Sequence, residues 1–250
     1  QKQKFEGKAL QQLYSKPFAE MTERDWRIFR EDNDIVTKGG RVPGPIRNWH
    51  EAEIDSQLDN ILTSHFQKPM PIQMQAIPLG LSMRDFIGLA PTGSGKSVAY
   101  LVPVLQFLLK MPPISGELVQ DGPYALITAP TRELAIQIDD ELHKLVPPNR
   151  CARSVVLVGG KNAENQGSAI SRGVEIVIGT PGRIEDCLKR RLLVLNQCYF
   201  VILDEADKMI DKDLEEAVRS ILKTIPNSLD KSEVESVCAE QERAMKSGQQ

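Results

Sequence analysis

Five short apolar runs constrain what this chain can fold into more than any other feature: Asp85 to Ala90, Tyr124 to Ala129, Ser154 to Val158, Val174 to Ile178 and Tyr199 to Leu203. They are bounded by Gly, Pro or Thr and separated by amphipathic stretches of helical length. A strand that is apolar along its whole length must be buried on both faces. Strands alternating with helices meet that need as a parallel sheet flanked by helices on both faces, an α/β fold. In such sheets ligands bind at the carboxyl ends of the strands. Functional residues are therefore expected directly after each run.

Composition narrows the class. At 250 residues, 41% hydrophobic and 26% charged, the chain has the balance of an ordinary globular protein. Cys151, Cys187, Cys198 and Cys238 are scattered without metal-ligand spacing, which points to a reducing compartment. His50, His65 and His143 form no cluster, so zinc is not expected. The longest apolar candidate, Ala99 to Leu109, is interrupted by Pro103 and Gln106 and is too short for a membrane helix. The start, Gln1-Lys2-Gln3-Lys4, has no signal-peptide pattern and reads as that of an excised piece. A net charge of -3 gives no basic excess, so any nucleic-acid contact must come from a few placed groups.

Residues 1–48 read as an extension. Thr22 caps a short helix, Glu23 to Glu31, with Trp26 and Phe29 as its apolar stripe; Gly39-Gly40 and Pro43-Gly44-Pro45 then read as a linker. The main domain is expected over 49–227, and the polar residues 228–250 read as a mobile linker or frayed helix.

The first run leads into Ala90-Pro91-Thr92-Gly93-Ser94-Gly95-Lys96-Ser97 and then a helical stretch, Val98 to Lys110. This is a P-loop with Ala in place of the leading Gly. Its glycines let backbone N–H groups turn inward around phosphate oxygens, and the helix N-terminus adds positive potential. Lys96 is expected to reach the β- and γ-phosphates and the Ser97 hydroxyl to ligate Mg²⁺. The plainer alternative, an exposed lysine in a Gly-rich turn, is weakened because a cation in a helix's first turn opposes the macrodipole unless an anion is present. The fifth run ends in Asp204-Glu205-Ala206-Asp207. Carboxylates at the end of a buried strand are costly unless they meet water, a cation or donors. Paired with the P-loop, Asp204 fits a Mg²⁺ position, and Glu205 fits the group that orients and deprotonates an attacking water. ATP and Mg²⁺ are the expected cofactors.

Asp204-Glu205-Ala206-Asp207 is the signature of the DEAD-box RNA helicases, and the chain resembles that family over about residues 49 to 227. Ala90 to Ser97 resembles its first motif, with Ser97 where Thr is usual. Pro130-Thr131-Arg132-Glu133-Leu134-Ala135, Gly159-Gly160 and Thr180-Pro181-Gly182-Arg183 resemble its RNA-contacting segments. Phe66, Pro69, Pro71, Ile72 and Gln73 resemble the adenine-reading segment, with Met70 where Thr is common and Trp49 at the isolated aromatic. The Gln73 amide, both donor and acceptor, can pair with the adenine edge, and Trp49 offers a flat face. Thr131 and Thr180 read as N-caps after strands, with Pro181 at the first helical position. Two helix starts on one rim can donate to RNA phosphates, with Arg132 and Arg183 adding charge and Gly159-Gly160 allowing close approach. Such a grip on phosphate and 2′-hydroxyl favours RNA without reading bases.

The resemblance implies a RecA-like P-loop domain, the first of two. The family's Ser-Ala-Thr motif and its second RecA-like domain, with the arginine fingers, are not in this sequence, and Asp207 is the residue that links to them. The chain alone is expected to hydrolyse ATP very slowly and unwind nothing. Met21 to Asp32, Thr37 to Gly40 and Pro45 to Trp49 resemble the spliceosomal members of the family that act at the 5′ splice site. That implies pre-mRNA splicing, a nuclear location and local unwinding of a short RNA duplex. It also implies docking of the extension on a spliceosomal ribonucleoprotein, with Trp26 and Phe29 as anchors unless they pack back on the domain. A DEAD-box helicase of another RNA pathway and a non-catalytic ATP-gated RNA-binding module are the alternatives.

Overall fold

Four of the five apolar runs become strands of one parallel sheet. In the computed structural model, which describes residues 13–148, 150, 152–160, 163–210 and 212–226, these are β1 (Ala125–Thr128), β2 (Ser154–Leu157), β3 (Ile176–Gly179) and β4 (Phe200–Leu203). Their order across the sheet is β2-β3-β1-β4 and every pairing is parallel. The polar stretch expected over 228–250 lies outside the described residues. The chain divides into two compact units, residues 1–106 and 107–250, and the sheet belongs to the second.

Both faces of the sheet are covered, as the sequence requires. Leu126, Val155, Leu157 and Val177 form one buried face, together with Ile170 of α6 (Ala163–Ser171), Ile184 and Cys187 of α7 (Pro181–Lys189) and Ile221 of α9 (Lys212–Leu222). Ala125, Ile127, Ile176 and Ile178 alternate to the opposite face and are fully buried. There α5 (Arg132–Leu145) lies along β2 and β3, and its Asp139 accepts the Ser154 hydroxyl at 2.5 Å. Burial pushes the Cys198 thiol up to about 12, which suits a core thiol.

The run Asp85 to Ala90 departs from expectation. It forms no strand, and Ile87 and Leu89 are 92% and 90% exposed. A strand exists only where a neighbour completes its ladder of N–H and C=O groups. Apolar composition supplies the propensity and not the partner.

In the first unit, the helices are α1 (Glu23–Asp32), α2 (Ser56–His65), α3 (Pro71–Leu81) and the start of α4 (Lys96–Leu108). Thr22 caps α1: its hydroxyl accepts from Asp25 N and the Asp25 carboxylate accepts from Thr22 N. Lys16, at 2.6 Å, and the Thr22 bonds hold the Asp25 carboxyl down to about 2. Trp26 and Phe29 are buried, so they pack back on the chain and are not presented as anchors for a partner. Pro43-Gly44-Pro45 is packed too. A Cβ at Gly44 would lie 2.7 Å from the Trp26 ring, and the Pro43 carbonyl accepts from Arg30 and from Gln75 of α3, each at 3.0 Å. Arg30 Nε also donates to Gln75 Oε1 at 2.9 Å. The stretch read as a linker is thus tied to α3.

Candidate nucleotide and nucleic-acid sites

The P-loop turn is built as its glycines predict. Gly93 and Gly95 adopt φ of 78° and 79°, conformations that strain other residues. The turn closes through Ser94, whose hydroxyl donates to the Pro91 carbonyl at 2.7 Å, and α4 starts at Lys96. Lys96 Nζ donates to the carbonyls of Ala90, at 2.6 Å, and Pro91, at 3.2 Å. Those carbonyls occupy the ammonium with neutral oxygens, which a phosphate would displace by supplying full charge. Pro91, Thr92 and Gly93 are exposed. Ser97, in the first turn of α4, is half-buried.

Gln73 has a structural task in this unit. Its Oε1 accepts from Met70 N at 2.8 Å, capping α3, and its Nε2 donates to the Gly95 carbonyl at 3.0 Å. The amide joins α3 to the P-loop and is 2% exposed, so its edge is turned to the protein. Trp49 corrects the sequence reading more firmly. It is 2% exposed, and its Nε1 donates to the Phe66 carbonyl at 3.0 Å, with ring centroids 6.0 Å apart. A ring enclosed in this way offers no free face to a base; it holds the Phe66 backbone. Phe66 itself is only half-buried, and Pro69 is buried.

In the second unit, parallel pairing sends the carboxyl ends of all four strands to one rim. Pro130 to Arg132 follow β1, Gly159-Gly160 follow β2, Thr180 to Arg183 follow β3, and Asp204 to Asp207 follow β4. Thr131 caps α5 by accepting from Leu134 N at 3.2 Å. Thr180 holds the same position before α7, with Pro181 at N1, but its side chain makes no capping bond. Gly182 is exposed, and a Cβ there would meet nothing within 4 Å.

Both rim arginines have partners within the protein. Arg132 Nη1 donates to the Gly159 carbonyl at 2.7 Å, and a Cβ at Gly160 would lie 2.6 Å from that same nitrogen. Gly160 is held as a glycine by its φ of 119°, which strains any other residue, and Arg132 passes over it, while Gly159 is the one with open space. Arg183 donates from Nε to Gln166 at 3.2 Å and from Nη1 to Asp186. Gln166 was not singled out by sequence reading; a lone glutamine on a helix carries no signal of its tertiary partners.

At the end of β4, Asp204 is buried, its N–H donates to the Thr128 carbonyl at 2.9 Å, and its Oδ1 accepts from Glu205 N at 2.9 Å. Glu205 sits in the left-handed region (φ 51°), and its Oε2 accepts from Lys208 Nζ at 2.8 Å. Such backbone strain clusters at functional sites. Asp207 is exposed on the short helix α8 (Ala206–Met209). Among the described residues no group of three or more His, Cys, Asp or Glu could hold a metal ion unaided. A single carboxylate such as Asp204 is compatible with Mg²⁺, which takes one or two protein oxygens and completes its shell with phosphate and water.

Residues 70–239 match the family model described as DEAD/DEAH box helicase. The chain is similar to the ATP-dependent RNA helicase ddx23 of Dictyostelium discoideum, at 48% identity over 228 residues; these are 91% of this chain and 27% of that protein. It is also similar to the crystal structure of the yeast DEAD-box splicing factor Prp28, with 42% identity and a TM-score of 0.78, covering 85% of this chain and 49% of that one. For the RNA helicase Prp28 from Chaetomium thermophilum bound to ADP, the identity is 47% and the TM-score 0.73, over 84% of this chain and 50% of that one.

Proposed function

The chain belongs to the DEAD/DEAH box helicase family, and from that premise we propose that its protein is an ATP-dependent RNA helicase of pre-mRNA splicing, acting in the nucleus. What carries this reading is the single rim of the parallel sheet, where Asp204 and Glu205 share an edge with all three segments assigned to RNA. Placing hydrolytic acids and an RNA grip on one rigid edge lets one respond to the other. Similarity to a Prp28 bound to ADP supports nucleotide use, and similarity to a splicing factor supports the pathway.

In this proposal, the N–H groups of the Gly93 to Ser97 turn hold the phosphates, and Lys96 leaves the Ala90 and Pro91 carbonyls for them. Ser97 and Asp204 would hold Mg²⁺, which when bound neutralises phosphate charge. Glu205 takes the proton of the attacking water once Lys208 gives up its carboxylate. Phe66 supplies the flat face beside adenine in place of Trp49, and Gln73 reads the base edge by exchanging its Gly95 contact for it. Asp207 faces the second domain. The first turns of α5 and α7 donate to the phosphates of one RNA strand. The RNA bound is a single strand or a short duplex, opened locally, and the wider partner is the spliceosomal ribonucleoprotein.

The test is ATP hydrolysis by the full-length protein with and without single-stranded RNA. RNA is expected to stimulate turnover, and Lys96→Ala to reduce it by about a hundredfold or more. Turnover indifferent to RNA, or undiminished by Lys96→Ala, contradicts the proposal.

A further inference from the structure

The three segments assigned to RNA are tied together by side chains, and one of those side chains has no part in the site described above. Gln166, on α6 and 8% exposed, donates from Nε2 to the Val158 carbonyl at 3.1 Å and accepts Arg183 Nε on its Oε1 at 3.2 Å. Val158 directly precedes Gly159-Gly160, and Arg183 lies in the first turn of α7. From the other side, Arg132 in the first turn of α5 donates to the Gly159 carbonyl at 2.7 Å. A continuous path therefore runs from the start of α5 through the glycine pair and Gln166 to the start of α7.

We propose that Gln166 is a positioning residue for single-stranded RNA, fixing the glycine loop and the α7 helix start at one spacing so that both meet the same phosphate backbone. The inference rests on the reading that this rim binds RNA. A single buried amide spends both its donor and its acceptor on the joint, so an apolar side chain of similar length would leave the Val158 carbonyl and the Arg183 Nε unpaired. Arg183 acts here as an oriented fork, since Nε and Nη1 have separate partners, Gln166 and Asp186. A lysine would keep its charge and lose that geometry.

The experiment measures binding of a fluorescent single-stranded RNA oligonucleotide to the full-length protein with a non-hydrolysable ATP analogue, and ADP affinity in parallel. Gln166→Met and Arg183→Lys are each expected to weaken RNA binding about tenfold, the scale of one hydrogen bond to a charged group. The double variant should add little to either, because both changes cut the same joint. ADP affinity should stay unchanged. RNA binding by Gln166→Met at the original affinity overturns the inference, as do losses that multiply in the double variant or a parallel fall in ADP affinity. Should Gln166→Met fail to fold, Gln166→Glu, which keeps the acceptor for Arg183 and loses the donor to the Val158 carbonyl, takes its place with the same expected loss. Gly182→Glu, which fits without a clash, tests the underlying reading: it should abolish RNA binding. If it does not, the rim is not the RNA site; if it does while the Gln166 variant binds normally, only the role of Gln166 fails.

Discussion

Gly95 shows how much one residue can be asked to satisfy. Its φ of 79° lies where a Cβ is strained, and a Cβ there would overlap the Gln73 amide that donates to its own carbonyl. Sequence reading explains the first requirement through the phosphate cradle. The second was not legible, because Gln73 is 22 residues away and only folding brings it to the loop. Gly95→Ala is expected to destabilise the fold by about 1–2 kcal/mol, measured by urea denaturation, and to abolish ATP binding. An Ala variant with unchanged stability and affinity would show that the Gln73 contact holds nothing in place. Trp49 teaches the complementary lesson. An indole with one polar N–H suits a ligand face or a buried site with one acceptor, and the Phe66 carbonyl decided for burial.

At the scale of elements, the four strands were legible to within two residues because Pro, Gly or Asp closes each run where the buried ladder ends. Asp85 to Ala90 carries the same pattern and forms no strand, since pairing is a property of two segments and the sequence displays one at a time. The extension shows the reverse. Its Trp26 and Phe29 stripe was visible, but which surface it would cover was not. Phe29 is fully buried, with the Tyr14 ring 5.3 Å away, and α1 is further tied to α3 through Arg30 and Gln75. Phe29→Ala should therefore lower stability by about 3–5 kcal/mol, read as a shift in the urea midpoint. A loss below about 1 kcal/mol would mean that α1 is only loosely held.

Across the whole molecule, the rule that ligands gather at the carboxyl ends of parallel strands picks out the rim from the sequence alone. The α5 start, the glycine pair, the α7 start and the acids after β4 all fall where it directs. The ties among them, Arg132 to Gly159 and Gln166 to Arg183, were hidden because they join side chains whose separation in sequence has no period. The central claim is that Glu205, in the left-handed turn after β4, takes the proton of the attacking water in ATP hydrolysis. Its most direct test compares ATP affinity and single-turnover hydrolysis in the full-length protein, wild type against Glu205→Gln. Affinity within about threefold of wild type with hydrolysis slowed about a hundredfold or more is the expected result. Hydrolysis at the wild-type rate would contradict it, because the carboxylate after β4 would then have no part in the chemistry.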